Sequence, residues 1–399
     1  MGTPNILLII ADDLGKDALA GYTEGNLKPN TPNLDALRNK GLMFTNFWSY
    51  PTCTPTRASI ITGKYGYHSN MLKVGDVLSP SELCLQKYLK TQGGNTYATA
   101  IVGKWHLSGN DSLVNPEDFG IDYYTGLIRG EADNYFRWQL TEDGQTSLQT
   151  NYITEEFTTR SIDWIKQQDK PWFLWLAYTA PHTPFHVPPS EMHSQGNLLD
   201  YQTGMNAMKY YLAAIEAMDF QIGRLLKDIP AEDRDNTIII FIGDNGSPNQ
   251  VAQSPYTGSR VKGTLYQGGI NVPMIVSGKG ISRTGTEPAL LNSTDLFATI
   301  AEMAGLNLPS YEDSRSFVSL FSQSQTIRDY TFSEMKEGSD SWAISNGEYK
   351  LIQLSAGTME MYDLGADPYE QINLLNGTLT PAQVAIKQEL QDEVLNIRK

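Results

Sequence analysis

The sequence predicts an α/β protein, with a large, mostly parallel or mixed sheet flanked by helices and a small C-terminal antiparallel sheet plus one helix. Two observations carry this. Short runs that are apolar throughout, instead of alternating, read as strands covered on both faces, and helical patterns separate them. Past about residue 310 the pattern changes to closely spaced strands and a hairpin signal. The expected division is therefore a larger α/β domain at 1–310 and a smaller α+β subdomain at 311–399.

The expected buried parallel strands are residues 5–10, 97–102, 172–178, 237–242 and 272–276. Helical patterns cover 31–40, 82–91, 154–167 and 205–226, the first with Pro32 at a favoured first helical position. In the tail, 341–344 and 349–354 flank Asn346-Gly347, a strong two-residue turn signal. A strand at 358–362 and a terminal helix at 381–398 come next.

Lys and Arg number 30 against 45 Asp and Glu, for a net charge of −15, which argues against nucleic acid as a main partner. The longest apolar runs, 6–11 and 238–242, are too short for a membrane span. Cys53 and Cys84 are the two cysteines and build no disulfide framework. No secretory leader pattern precedes the first strand. The expected compartment is periplasmic or secreted where a leader has been removed, and cytoplasmic otherwise.

Ligands of open α/β sheets sit beyond the carboxyl ends of the strands, so the residues just past each strand are informative. Asp12-Asp13 stands past the first, Lys104-Trp105-His106 past the second, Pro181-His182 past the third and Asp244-Asn245 past the fourth. Alone, each reads more simply as a cap, a turn, a structural histidine or a solvated lysine. Together they place carboxylates, histidines and a lysine on one sheet edge. Three aspartates and an asparagine form a hard-oxygen set that suits Ca²⁺ or Mg²⁺ better than zinc. Asn245 also heads an N-glycosylation triplet, as do Asn110, Asn292 and Asn376; none carries weight.

The most informative stretch is residues 52–59. Thr54-Pro55 is a good N-cap and first-turn pair, which puts Cys53 just ahead of a helix N-terminus, where amide donors favour anions. Arg57 falls in the first turn. Taken alone, this is a buried free cysteine beside a helix cap.

Cys53-Thr54-Pro55-Thr56-Arg57, followed by Ala58-Ser59-Ile60-Ile61-Thr62-Gly63-Lys64, resembles the signature of type I, formylglycine-dependent sulfatases, arylsulfatase-like members of the alkaline phosphatase superfamily. Further blocks resemble that family in the right order: 5–15, 103–107, 180–184, 243–247, 262–273, and the tail residues Met361-Tyr362-Asp363-Leu364 with Asp367-Pro368 and Asn373-Leu374. The resemblance implies that Asp12, Asp13, Asp244 and Asn245 bind one divalent cation, Ca²⁺ favoured over Mg²⁺. A dedicated maturation enzyme would oxidise Cys53 to Cα-formylglycine, which completes the metal shell. It implies that one hydroxyl of the hydrated aldehyde attacks the sulfur of a sulfate monoester, steadied by Arg57. Lys104 and Lys262 would clamp the sulfate oxygens, His182 with Lys262 would protonate the leaving alcohol, and His106 would act as the base that expels sulfate.

The expected activity is that of a sulfuric ester hydrolase, acting on aryl sulfates in vitro and on a sulfated carbohydrate or small molecule in nature. The alternatives are a formylglycine-dependent phosphodiesterase or phosphonate monoester hydrolase, and a sulfated-glycan-binding relative without catalysis. Gln267-Gly268-Gly269-Ile270-Asn271 stands where family members often carry Glu-Gly-Gly-Ile-Arg, removing one charge of each sign near the site edge. His68 and His186 read as structural or rim histidines. Residues 109–143 and 188–204 are expected to shape the substrate pocket. With a divalent cation, the acidic and basic site residues leave the pocket net positive inside an acidic surface. That favours a single sulfate, at a chain end or on a small molecule.

Overall fold

The computed structural model describes residues 3–109, 114–355 and 357–399, so Asn110 lies outside the described residues. A ten-stranded sheet runs through the larger part. Its strands are β1 (Asn5–Ala11), β2 (Leu42–Phe44), β3 (Ala98–Lys104), β4 (Tyr123–Leu127) and β5 (Trp138–Glu142). They continue with β6 (Gln145–Gln149), β7 (Trp172–Ala177), β8 (Thr237–Gly243), β9 (Met274–Gly278) and β10 (Gly285–Glu287). Their spatial order is β10-β2-β9-β8-β1-β7-β3-β4-β5-β6.

The run β8-β1-β7-β3-β4 is parallel, as the unbroken apolar segments predict. The helices explain why. They are α1 (Pro32–Lys40), α2 (Cys53–Thr62), α3 (Leu85–Gln92), α4 (Ile153–Ile165), α5 (Ala207–Asp228) and α6 (Asp295–Met303). Side chains alternate across a strand. Leu7, Ile9 and Ala11 of β1 pack with residues of α1, α4 and α5, while Ile6, Leu8 and Ile10 pack with residues of α2, α3 and α6. Both faces are buried, and apolar side chains dominate them.

One strand departs from expectation: β9 pairs antiparallel with β8. A parallel partner needs a long crossover, usually a helix. Between β8 and β9 lie a three-residue 3-10 turn, Asn249–Val251, and a four-residue helix, Gln267–Ile270, neither long enough to serve as a crossover helix, and the chain turns back along the same edge. Apolar content marks a strand as buried but carries no direction. The hairpin β5-β6 was not expected at all, because β6 is exposed or half-exposed along its whole length and offers no apolar pattern.

The tail forms an antiparallel sheet of β11 (Thr331–Met335), β12 (Ser341–Ser345), β13 (Tyr349–Ser355) and β14 (Thr358–Asp363), followed by α7 (Pro381–Ile397). The hairpin at Asn346-Gly347 and the helix match the sequence reading, and β11 adds a fourth strand. One face packs Phe332, Ile344, Leu351 and Met361 on Leu390 and Val394 of α7 and on Tyr50 and Tyr65. The other packs Ala343, Ile352 and Tyr362 on Trp48, Leu265 and Ile270.

Helix α2 starts at Cys53 after the extended Thr52, slightly earlier than Thr54-Pro55 implied, and ends at Gly63, whose φ of +69° lets its N–H reach Ser59 O. All ten of its residues are buried. Ser59 Oγ meets Ser293 Oγ at 2.6 Å, close to the start of α6. That start is fixed by Asp295, fully buried, which accepts from Arg328 Nε at 2.9 and 2.7 Å and from the backbone N–H groups of Asn292 and Arg315 at 2.8 and 2.7 Å. Asp295→Ala leaves the Arg328 guanidinium buried and unpaired. It should lower unfolding stability by about 3 kcal/mol or more, read from the urea midpoint.

Candidate active site

The four strands that end in polar motifs, β8, β1, β7 and β3, are consecutive neighbours in the sheet, so their carboxyl ends lie side by side. Asp244 and Asn245 follow β8, Asp12 and Asp13 follow β1, His182 follows β7, and Lys104 closes β3 with His106 two residues on. Asp12, Asp244, Asn245, Arg57 and Lys104 are fully buried, and Asp13, Cys53, His106 and His182 nearly so. Lys262 alone keeps a partly exposed side chain. Every residue singled out for the site in the sequence is brought to this corner.

Short polar contacts connect them. Cys53 Sγ lies 3.1 Å from His106 Nδ1. Arg57 donates to Asp244 Oδ2 at 2.9 Å and to Lys104 O at 2.8 Å, and stands 4.0 Å from Asp12 Oδ2. Lys104 Nζ meets Asp12 Oδ2 at 2.5 Å, and Lys262 Nζ meets Asp13 Oδ2 at 2.6 Å. Asn245 Nδ2 donates to Asp13 Oδ1 at 2.8 Å, and the Asp13 N–H donates to Asp244 Oδ1 at 3.0 Å. Asp13 and His106 have φ of +67° and +58°, left-handed values that persist in side-chain-bearing residues only where the surroundings hold them.

Burial and charge pull the titrations in known directions. Burial, reinforced by Asp12, pushes Asp244 up to about 6. For Asp13 burial is outweighed by Lys262, His182 and Lys104, and its carboxyl is held below the usual range. The Lys262 ammonium is held above its usual range, since Asp13 more than offsets burial. Burial, with Lys104 and Arg57 nearby, drives His106 well below the ordinary imidazole value. Burial lowers His182 to about 4, helped by Lys104 and Lys262 and opposed by Asp13. Burial raises the Cys53 thiol.

Two buried oxygens, Asp12 Oδ1 and Asn245 Oδ1, have no hydrogen-bond partner among the described residues. An unpaired buried oxygen is costly. Here both belong to a carboxylate–amide set, the donor chemistry of a hard divalent cation. Ligating atoms of Asp12, Asp13 and His182 also come within 4.8 Å of one another. Arg57 Nε likewise lacks a partner among the described residues.

Behind this set lies a support the motifs did not reveal. Ser247 Oγ donates to Asp17 Oδ1 at 2.6 Å and accepts from the Gly15 N–H at 3.2 Å, while Tyr211 donates to Asp13 O at 2.7 Å. These bonds tie the loop after β1 to the loop after β8. Ser247 was legible as part of the motif after β8, but Tyr211, near the start of α5, carried no signal.

A cleft of about 980 Å³ opens above the corner, lined at its base by Cys53, His106, His182 and Lys262. Its walls come from residues between Leu127 and Leu148, including Arg129, Arg137, Trp138 and Gln139. Part of the expected loop 109–143 thus does shape the cleft, whereas 188–204 supplies none of the lining. His68 sits away from it, 2.7 Å from Asp313, and His186 stacks on Tyr135. Gln267 and Asn271, the departures from the family pattern, are buried and outside the lining. Asn245 and Asn292 are fully buried, which rules their glycosylation triplets out in the folded chain.

The sulfatase family profile matches residues 4–306. The chain belongs to the sulfatase family. A second profile, described as the C-terminal part of N-sulphoglucosamine sulphohydrolase, matches 259–399 of this sulfatase-family chain. It is 31% identical to N-acetylgalactosamine-6-sulfatase of Homo sapiens over 350 residues, covering 77% of this chain and 63% of that protein, a little under two thirds of its length. It is 28% identical to the ulvan-active sulfatase of Formosa agariphila, covering 93% of this chain and 77% of the other. The structure of Ps i-CgsB in complex with k-i-k-neocarrahexaose superposes with a TM-score of 0.84 at 23% identity, over 99% of this chain and 93% of that one, and shares its fold.

In the cation-free protein, His182 and His186, both lowered to about 4 by burial, should be neutral at pH 7. Their imidazole proton resonances should titrate near 4 instead of about 6.5. The unfolded chain takes up these protons first, so the contribution to stability is full above about 6.5 and falls as pH drops toward 4.

Proposed function

We propose that this chain hydrolyses sulfate monoesters: aryl sulfates in vitro, and in nature a sulfated saccharide or small molecule. The supporting observation is Cys53 at the base of the cleft, 3.1 Å from His106 and ringed by Arg57, Lys104 and Lys262. That arrangement puts one reactive position against a cationic floor that suits a compact anion. The oligosaccharide of the Ps i-CgsB complex, and the sugar in the name of the human relative, support a carbohydrate substrate.

In this reading, Cys53 is converted to formylglycine by a separate maturation enzyme. Asp12, Asp13, Asp244, Asn245 and residue 53 hold one divalent cation, Ca²⁺ in preference to Mg²⁺. When bound, the cation supplies positive charge that acidifies and fixes the attacking hydroxyl. Arg57 steadies residue 53 through its unpartnered Nε. Lys104 and Lys262 hold the sulfate oxygens as their charge shifts. Sulfate entering beside His182 brings negative charge that raises its pKa from about 4, so that it can carry a proton to the leaving oxygen with Lys262. His106 stays neutral beside residue 53, ready to take the proton that frees the product. Residues 1–310 form the catalytic domain and 311–399 the smaller subdomain.

The deciding experiment is a sulfate-release screen over sulfated mono-, oligo- and polysaccharides, with 4-nitrophenyl sulfate as control. Release from sulfate esters with none from aryl phosphodiesters is expected; comparable rates on both would favour the phosphodiesterase, and no release the binding relative. Cys53→Ser should abolish multiple turnover, and peptide mass spectrometry of protein from its native host should find residue 53 oxidised. Ca²⁺ should raise the thermal unfolding midpoint, less so in Asp244→Asn and Asn245→Ala. That rise should shrink as pH falls below about 6, where Asp244 takes up a proton and no longer offers a carboxylate.

A further inference from the structure

The segment after β4 runs along the cleft wall and touches both histidines of the site. Leu127 O and Ile128 O accept from the backbone N–H groups of Trp105 and His106 at 2.9 and 3.0 Å, holding His106 in its left-handed conformation. Gly130 lies flat against the His106 ring: a Cβ there would stand 2.3 Å from Cε1, 2.4 Å from Nε2 and 2.8 Å from Nδ1. Five residues on, the buried Tyr135 hydroxyl sits 2.9 Å from Thr179 O and 2.7 Å from His182 O, sharing its proton between them. The Tyr135 ring stacks on His186, with centroids 3.7 Å apart. His182 Nδ1 lies 2.6 Å from Thr183 O, so it carries a hydrogen and turns Nε2 toward Asp13 Oδ2 at 3.6 Å.

We propose that Gly130 and Tyr135 are positioning residues, Gly130 for His106 and Tyr135 for His182. The wall that meets the alcohol part of the substrate then also sets the two imidazoles that move protons. The inference rests on the hydrolase reading above. Its signature comes from the order of steps. A proton donor matters in proportion to the basicity of the departing oxygen, so an error in His182 penalises a poor leaving group more than a good one. A base that acts after the phenol has gone affects every substrate alike, in kcat and not in kcat/KM.

The test compares mature wild type, Tyr135→Phe and Gly130→Ala on 4-nitrophenyl sulfate and on phenyl sulfate, whose phenol is the weaker acid. Tyr135→Phe should lose about tenfold or more in kcat/KM on phenyl sulfate beyond any loss on 4-nitrophenyl sulfate. Gly130→Ala should lower kcat about tenfold on both, with KM falling in parallel and a burst of phenol. Neither should change the Ca²⁺-induced rise in unfolding midpoint. Equal losses of Tyr135→Phe on the two esters, or wild-type kcat in Gly130→Ala, would overturn the proposal. Should Tyr135→Phe fail to fold, with two carbonyls left unpaired, Gly130→Ala decides alone. A wild type that hydrolyses neither ester removes the hydrolase reading itself, a result distinct from the others.

Discussion

Three carboxylates and three cationic side chains share one largely buried corner of the sheet, and each sign is tolerable there only because of the other. An isolated buried charge costs several kcal/mol, and even a pair repays its desolvation only with good geometry. Asp12 with Lys104, Asp13 with Lys262 and Asp244 with Arg57 meet at 2.5, 2.6 and 2.9 Å. They come from segments scattered between Asp12 and Lys262. The aligned carboxyl ends of neighbouring parallel strands bring Asp12, Asp13, Lys104 and Asp244 together, and α2 and the loop before β9 add Arg57 and Lys262. The left-handed turn at Asp13, the bonds of Ser247 and Tyr211, and the complete burial of α2 all serve that alignment.

The charges also divide the work. Asp13 is kept ionised by its cationic neighbours, whereas burial pushes Asp244 and Asp12 upward, reinforced by Asp12 in the first case and by Asp13 in the second. Three carboxylates against three cationic side chains leave the corner formally neutral by itself. Asp12 Oδ1, Asn245 Oδ1 and Arg57 Nε have no hydrogen-bond partner among the described residues, so the hydrogen bonding of the corner is incomplete.

What the sequence displayed best was whatever is local. β1, β7 and β8 are apolar on both faces and announce themselves, and the residues just past them are then read directly. The direction of β9 was invisible, because burial says nothing about polarity of the chain. The exposed β6 was invisible because it carries no apolar pattern, and the support from Tyr211 and the contacts of Gly130 and Tyr135 with the histidines because each depends on a meeting of residues far apart in the chain. The same holds for the seat of Lys262. Its segment is held by the tail, where Glu370 accepts from the Gln267 N–H at 2.7 Å and pairs with fully buried Lys350 at 2.5 Å. Arg260, two residues before Lys262, also donates to Glu370 O and lies over the Tyr266 ring. The small sheet thus grips the loop that carries a site lysine, although neither piece hints at the other.

The hairpin β5-β6 pairs with the main sheet through β4 alone and ends it at an open edge. It supplies Trp138, Gln139, Thr141, Thr146 and Leu148 to the cleft but no member of the charged corner. This part of the cleft wall and the charged corner are therefore carried on separable pieces of backbone. This makes the hairpin a natural graft point: its tip and inward-facing positions can be rewritten to reshape the outer cleft while the parallel core and its charged corner stay as they are.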